Sequence, residues 1–332
     1  ASPSNNTADI AGFVISPSNP AKVAYLFDGV TDNKYELYVY TPSSSSGTNV
    51  KVSNEIAYSA GSVEWASNYW TVDWVNNIAI YSANDSSPYK YAYTAKLDGS
   101  SKVKIGEQIN VSDVDASMVV GDNIVFLADL DRGNQSELYK ANADGSGAVK
   151  ISAELAENAT ILPNFIRVGN TNKVLYVSTS GTGKASELRI VDVVTGVDTL
   201  LNTGSQLNSE VDSFAITMNL NYVVYISDRV YDEVNELWAS KLDGTGTPVR
   251  LNPSNWGSTS PYDVAAFTIA PDSNTIAVLH DSWTIDNKWV YHITKIGTPS
   301  TWVNVTYNSS TTSASYAAFA PAVFSANSAT VC

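Results

Sequence analysis

Short apolar runs of four or five residues, separated by polar turns, recur along the chain without the 3.6-residue spacing of an amphipathic helix. One run repeats most clearly: Val23-Ala24-Tyr25-Leu26-Phe27, Ile78-Ala79-Ile80-Tyr81, Ile124-Val125-Phe126-Leu127, Val174-Leu175-Tyr176-Val177, Val223-Val224-Tyr225-Ile226 and Ile276-Ala277-Val278-Leu279. With Tyr25, Tyr81, Phe126, Tyr176, Tyr225 and Val278 as equivalents, the copies are 45 to 56 residues apart. Short apolar runs bounded by polar turns predict β-strands.

Each run is followed by a polar loop and a second strand. In four copies that strand opens with one pair: Glu36-Leu37, Glu137-Leu138, Glu187-Leu188 and Glu236-Leu237. Tyr91-Ala92 and Trp289-Val290 are expected at that place in the other two. Asp98-Gly99, Asp144-Gly145 and Asp243-Gly244 then predict tight hairpin turns, because glycine supplies the positive φ such turns need. A closing strand follows, as in Val149-Lys150-Ile151-Ser152 and Val249-Arg250-Leu251-Asn252. Upstream of each recurring run lies another strand, marked by Phe13, Phe165, Phe214 or Phe267 and ending in two copies at Ser16-Pro17 or Ala270-Pro271-Asp272. The unit is four antiparallel strands in about 50 residues. A lone four-stranded sheet exposes both faces, so the copies must pack face to face, and a radial array leaves only short edges exposed.

This order of strand, Ser-Pro turn, apolar strand, Glu-Leu strand, Asp-Gly turn and closing strand resembles the TolB-type propeller repeat. The same repeat occurs in the propeller domains of prolyl-oligopeptidase-type peptidases. The resemblance implies an all-β fold: a β-propeller of about six four-stranded blades, starting near Phe13, Val63, Val114, Phe165, Phe214 and Phe267. It covers residues 10–306, after an N-terminal arm at 1–9. Residues 307–332 are read as closing strands or the start of a further blade, since Ala317-Ala318-Phe319-Ala320-Pro321 restarts the motif. The second copy departs most, with an inserted segment carrying Trp65, Trp70 and Trp74. The resemblance says almost nothing about function, because one fold hosts unrelated activities.

Composition narrows the partners. The formal charge is −14, from 19 Lys and Arg against 33 Asp and Glu, which disfavours nucleic acid and anionic lipid. No apolar stretch is long enough to span a membrane as a helix. Scarce lysine, abundant Ser, Thr and Asn, and a small polar start suggest export, to the periplasm, the cell surface or the medium. The single cysteine, Cys332, excludes an internal disulfide and a cysteine-based zinc cluster.

Candidate chemistry is sparse. No Gly-X-Ser-X-Gly elbow is present and no catalytic residue is assigned. The two histidines, His280 and His292, flank one hairpin loop, and a turn centred near Asp286 would set them directly opposite each other. With Asp281 and Asp286 they form the candidate metal set, weighed against ordinary strand positions. Acidic residues recur in the equivalent loop of four blades, at Asp28 and Asp32, Asp129 and Asp131, Asp228, Asp232 and Glu233, and Asp281 and Asp286. They are expected to ring one face. No cofactor is expected; calcium or another divalent ion is the alternative these acids leave open, although no Asp-X-Asp-X-Asp-Gly loop is present. Trp65, Tyr69, Trp70, Trp74, Trp283 and Trp289 are the candidate binding aromatics, weighed against packing between blades. The reading that follows is a non-catalytic binding or scaffold propeller presenting a rigid face to a protein or polysaccharide. Its rival is a carbohydrate-active lyase or hydrolase, possibly assisted by metal, acting at the channel mouth.

Overall fold

The computed structural model describes residues 8–17, 21–29, 31, 33–44, 46–54, 61–64, 70–84, 90–105, 112–129, 135–230, 234–253, 263–282 and 288–304, without the side chains of 112, 113, 281, 282, 288, 289, 300, 301 and 304. The expected closing strands or further blade at 307–332 and the first seven residues of the N-terminal arm lie outside them.

The described residues contain no helix and form six four-stranded antiparallel sheets, each built from consecutive strands in sequence order. Blade one comprises Ile10–Ile15, Val23–Phe27, Glu36–Thr41 and Thr48–Lys51; blade two, Trp70–Asp73, Ile78–Ala83, Tyr91–Lys96 and Val103–Lys104. Blade three comprises Ser112–Val120, Asn123–Asp129, Ser136–Asn142 and Val149–Lys150; blade four, Ile166–Arg167, Lys173–Ser178, Glu187–Asp192 and Asp198–Leu200. Blade five comprises Val211–Ile216, Tyr222–Ser227, Glu236–Lys241 and Val249–Arg250; blade six, Val264–Ile269, Thr275–Ser282, Lys288–Lys295 and Thr298–Asn304. This is the β-propeller that the repeat predicts.

The recurring apolar run is the second strand of each blade, and its lack of alternation follows from burial on both faces. In blade five, Val223 and Tyr225 pack toward blade four, while Val224 and Ile226 pack toward blade six. The same division links blades one and two, two and three, and three and four. Polar latches add to this packing. The Asn54 and Ala153 amides each donate to the hydroxyl of the next blade's core tyrosine, Tyr81 and Tyr176, at 3.1 Å. Ser240 and Thr294, each two residues beyond the third-strand residue that faces the core position (Trp238 and His292), donate to the carbonyls of Leu201 and Leu251 in the blade before, at 2.8 and 3.3 Å.

The first strands share an irregularity. In blades one, five and six the register slips by one residue between Ile10 and Gly12, Val211 and Ser213, and Val264 and Ala266. Blade two widens this bulge: Val63 bridges Ala83 and pairing resumes only at Trp70, opposite Tyr81. Blade four does the same on a smaller scale, with Ile161 bridging Ser178 before Ile166 meets Leu175. The tryptophan-rich insertion of blade two therefore enters at a bulge that other blades share. The first strand of that blade starts at Trp70 rather than near Val63, and that of blade four at Ile166.

The Asp-Gly turns form as expected. Gly99, Gly145 and Gly244 have φ of +80°, +80° and +74°. Asp98, Asp144 and Asp243 each accept from the backbone and hydroxyl of the residue two positions on, Ser100, Ser146 and Thr245. These hydrogen bonds, the hydroxyl's foremost, hold the three carboxyls below their ordinary pKa.

Candidate functional site

The repeated glutamate is the natural place to look for chemistry, and its surroundings are those of a structural tie. Each stands first or, for Glu137, second in the third strand of its blade, where side chains two residues apart share a face. Glu36 accepts from the Tyr38 hydroxyl at 2.9 Å and pairs with Lys51 at 2.5 Å. Glu137 accepts from Tyr139 at 3.1 Å and pairs with Lys150 at 2.9 Å. Glu236 accepts from the Trp238 indole at 3.1 Å and pairs with Arg250 at 2.6 Å. The register explains the recurrence: Lys51, Lys150 and Arg250 stand opposite Tyr38, Tyr139 and Trp238 on the fourth strand.

Two blades vary this arrangement. In blade two Tyr91 replaces the glutamate, and Lys104 lies over its ring, 3.1 Å from the centroid, so a cation–π contact takes the place of the ion pair. In blade four Arg189 holds the aromatic position and pairs with Asp198 at 2.6 Å and Glu187 at 3.0 Å. The Tyr176 hydroxyl also bonds Asp198, and burial followed by the Asp198 charge pushes that phenol well above its usual range. A phenol so held stays protonated at neutral pH.

Blade six carries the histidines in this same layer. Val278 faces His292, and His280 faces Val290. His292 thus stands where Tyr38, Tyr139 and Trp238 stand, and Val290-Tyr291, rather than Trp289-Val290, takes the place of Glu-Leu. The register differs by two residues from the expected one, so the imidazoles are diagonal neighbours instead of a directly opposed pair. They still meet. His280 Nε2 and His292 Nδ1 are 2.8 Å apart, one donating and the other accepting, and the rings stack with centroids 4.8 Å apart. Trp302 flanks both rings, at 5.3 and 5.0 Å, and its indole N–H reaches the Leu251 carbonyl of blade five at 2.5 Å. Two nitrogens on one tetrahedral zinc, each about 2.0–2.1 Å from it, stand about 3.3 Å apart. The observed contact is a hydrogen bond, shorter than that. Asp286 and the Asp281 side chain lie outside the described residues, and among the described residues no three His, Cys, Asp or Glu side chains gather in a metal-sized group.

Burial holds the His292 imidazole below its ordinary pKa of 6.5. As the pH falls, the unfolded chain takes up this proton first, so the contribution to stability is complete above pH 6.5 and is lost below it, toward the folded value. The urea midpoint is expected to drop between pH 7 and pH 5, and the drop to shrink in His292→Tyr, which copies the tyrosine of blades one and three. An identical drop in that variant would assign the effect to other groups.

The acidic loops are rooted more firmly than free ligands would be. Asp28 and Asp228 are 3% and 8% exposed. Asp28 accepts from the amides of Asp9 and Asn33 at 2.6 and 3.1 Å, and Asp228 from that of Glu210 at 2.5 Å. They tie the second strand to the start of the first. Asp129 ends its strand half-buried, and Asp32, Asp131, Asp232 and Glu233 lie outside the described residues.

The tryptophans divide similarly. Trp70 is 6% exposed and packs into the core between blades one and two. It faces Tyr81 as Phe13 faces Tyr25 and Phe214 faces Tyr225, so it is the second blade's copy of the first-strand aromatic. A Cβ on Gly12 of blade one would come within 3.4 Å of its ring. Trp74 is half-buried against the same core. Trp70 therefore belongs to the core and not to an open stacking platform. Trp65, Tyr69, Trp283 and the Trp289 side chain lie outside the described residues. A feature without any sequence motif is an open cleft of about 510 Å³ between blades one and two, with Lys22, Lys96, Asn76 and Asn77 on its walls and Val39 and Leu97 in its floor. Its residues come from separate strands and turns of the two blades, and only the folded register brings them together.

No family model matches the chain, and no curated protein matches it. Solved structures do. Oligopeptidase B from Leishmania major superposes with a TM-score of 0.56 at 9% identity, over 92% of this chain and 42% of that one. A prolyl endopeptidase, studied for the role of inter-domain dynamics in catalysis and specificity, superposes with a TM-score of 0.52 at 9% identity, over 91% and 43%. A putative TolB from Agrobacterium tumefaciens gives a TM-score of 0.38 at 12% identity, over 73% of this chain and 82% of that one. The chain spans less than half the length of the two peptidases it matches. At such identities the likeness to the two peptidases concerns the fold alone, and it agrees with the propeller.

Proposed function

We propose that this chain is a non-catalytic binding propeller that presents a rigid face to a partner outside the cytoplasm. The observation that carries the reading is how the buried ionisable groups are used. Glu36, Glu137 and Glu236 tie third strands to fourth, Asp198 joins Tyr176 to Arg189, and Asp28 and Asp228 cap backbone amides. General acid–base catalysis asks for a pair of groups with separated pKa values aimed at one reacting atom. The carboxylates described here are aimed at their own strands.

The same bonds support rigidity at the rim, because Asp28 and Asp228 anchor the roots of the loops between second and third strands. Burial of Trp70 removes support for sugar stacking at that position, so a protein partner is favoured over a polysaccharide. The net charge of −14 favours a neutral or basic one. Export rests on composition.

Calorimetric titration with panels of basic and neutral peptides and of oligosaccharides, with mass spectrometry of each mixture, tests this. Saturable binding of a peptide class that leaves every ligand intact is the expected result. Cleavage or elimination of any ligand, abolished by a chelator or by His280→Ala, would establish the rival enzymatic reading.

A further inference from the structure

We infer that the cleft between blades one and two binds a small organic carboxylate, Lys22 and Lys96 holding the charged group while Val39, Val50 and Leu97 receive a short aliphatic body. The cleft lies where first strands turn into second and third into fourth, at the end of the blades opposite the acidic loops. Its ligand is therefore separate from the partner proposed above. The two lysines come from neighbouring blades, and turn hydrogen bonds fix both backbones. The Lys22 amide donates to the Ser16 hydroxyl at 2.7 Å, and the Lys22 carbonyl accepts from the Ser16 amide at 2.8 Å. The Lys96 amide donates to the Ser100 carbonyl at 3.0 Å, and the Lys96 carbonyl accepts from the Gly99 amide at 2.9 Å. Beside them, Asp73 accepts from the Asn76 amide and side chain at 3.1 and 2.8 Å, and the Asn77 carbonyl takes the Leu97 amide at 3.0 Å. The frame of the site is thus set before a ligand arrives.

The junction of blades four and five carries the same two lysines with a different balance of charge. Lys22 stands three residues before Tyr25 as Lys173 does before Tyr176, and Lys96 three after Tyr93 as Lys241 does after Trp238. Between blades four and five two carboxylates answer the two lysines: the Lys173 charge acts on both Asp192 and Asp243, and that of Lys241 on Asp243. Between blades one and two, Asp98 is the counterpart of Asp243 and is engaged by Ser100. Thr41 stands where Asp192 stands, following the Val23 and Tyr40 pair as Asp192 follows Val174 and Val191. Two ammonium groups against one carboxylate leave the cleft with one positive charge in excess. Among the described residues, neither Lys22 nor Lys96 has a carboxylate within ion-pair distance. That excess, in a chain of net charge −14, matches a monoanion better than a dianion such as phosphate. The volume of about 510 Å³ is far more than a bare ion needs and falls in the range of small-molecule sites. Val39 and Leu97 make its floor apolar. A carboxylate on an aliphatic body of about four to six carbons fits both wall and floor. Either a free aliphatic acid or the C-terminal residue of a peptide presents that chemistry.

Calorimetric titration of the full chain at pH 7 with 4-methylpentanoate, and with 4-methylpentanamide as its uncharged counterpart, tests this. Saturable binding of the acid and none of the amide is expected. Lys22→Gln and Lys96→Gln should each weaken the acid by about fivefold or more, while Lys173→Gln leaves it unchanged. Thr41→Asp, which copies the charge balance of blade four, should abolish binding. N-acetylglycyl-leucine with a free C-terminus separates the two sources: a gain of about tenfold or more over 4-methylpentanoate assigns the cleft to a peptide C-terminus, and no gain assigns it to a free acid. No saturable binding of either acid up to about 50 mM would overturn the inference. So would an affinity unaltered in both Lys22→Gln and Lys96→Gln, or inorganic phosphate binding more tightly than both acids. Melting temperatures of all variants show that each is folded, and the lysine variants decide the matter even if Thr41→Asp is not.

Discussion

Replacing Arg250 by Met is expected to destabilise the protein by about 3–5 kcal/mol at pH 7, because it strands a buried carboxylate. Glu236 is completely buried, and its nearest cation is the Arg250 guanidinium at 2.6 Å. Burial already lifts the Glu236 carboxyl above its ordinary pKa of 4.5, with Arg250 the largest opposing influence. Removing Arg250 lifts it further. A carboxyl whose folded pKa is raised favours folding fully below pH 4.5, and that contribution is lost as the pH rises through the folded value. The damage in Arg250→Met should therefore be larger at pH 7 than at pH 5, as read from urea unfolding at both. Replacing Glu236 and Arg250 together by Leu and Met should recover much of the loss, since a buried ion pair is often no more stable than a well-packed apolar pair. The matching change in blade four, Glu187→Gln, should cost under about 1 kcal/mol, because Glu187 is a third exposed and Arg189 keeps Asp198. Equal effects at the two sites would show that burial does not set the strength of these ties.

Trp70→Ala should cost about 3–5 kcal/mol, the range for emptying a large aromatic site in a core. The ring is wedged between blades one and two, over Gly12 and beside the Tyr81 and Tyr93 stack, whose centroids are 5.4 Å apart. Trp70→Phe should recover most of that loss, because phenylalanine fills the same register position in blades one, five and six. A melting temperature unchanged by Trp70→Ala would mean that the residue is exposed in solution and available as a binding aromatic after all.

The repeat was legible in the sequence because double burial writes a continuous apolar second strand and the hairpin turns demand Asp-Gly. The glutamate was legible as a mark but not as a role. Its partners, Lys51, Lys150 and Arg250, lie 13 to 15 residues away and become neighbours only through strand register. Trp70 reads in the sequence as part of an insertion because the bulge before it is widened in blade two, which hides its equivalence to Phe13. The histidine geometry turned on a two-residue difference in strand register, His280 facing Val290 instead of His292, and a shift by two keeps both side chains on one face while exchanging opposed partners for diagonal ones. Loop length alone does not fix that. The second-strand acids were expected to ring a face, and the caps made by Asp28 and Asp228 depend on the bulged first strand lying close by, which no spacing announces.

Because each described blade packs on the one made just before it, assembly can follow synthesis. A newly made blade finds its docking surface already folded, and contacts between neighbouring blades span short stretches of chain, which favours fast and orderly formation. The aromatic side of blade one is the exception. None of the clusters that join described blades includes Phe13, Tyr25 or Tyr40, and Phe13 and Ile15 are more than half exposed. While that face is uncovered during folding it is the part of the array most liable to stick to another copy or to need a chaperone.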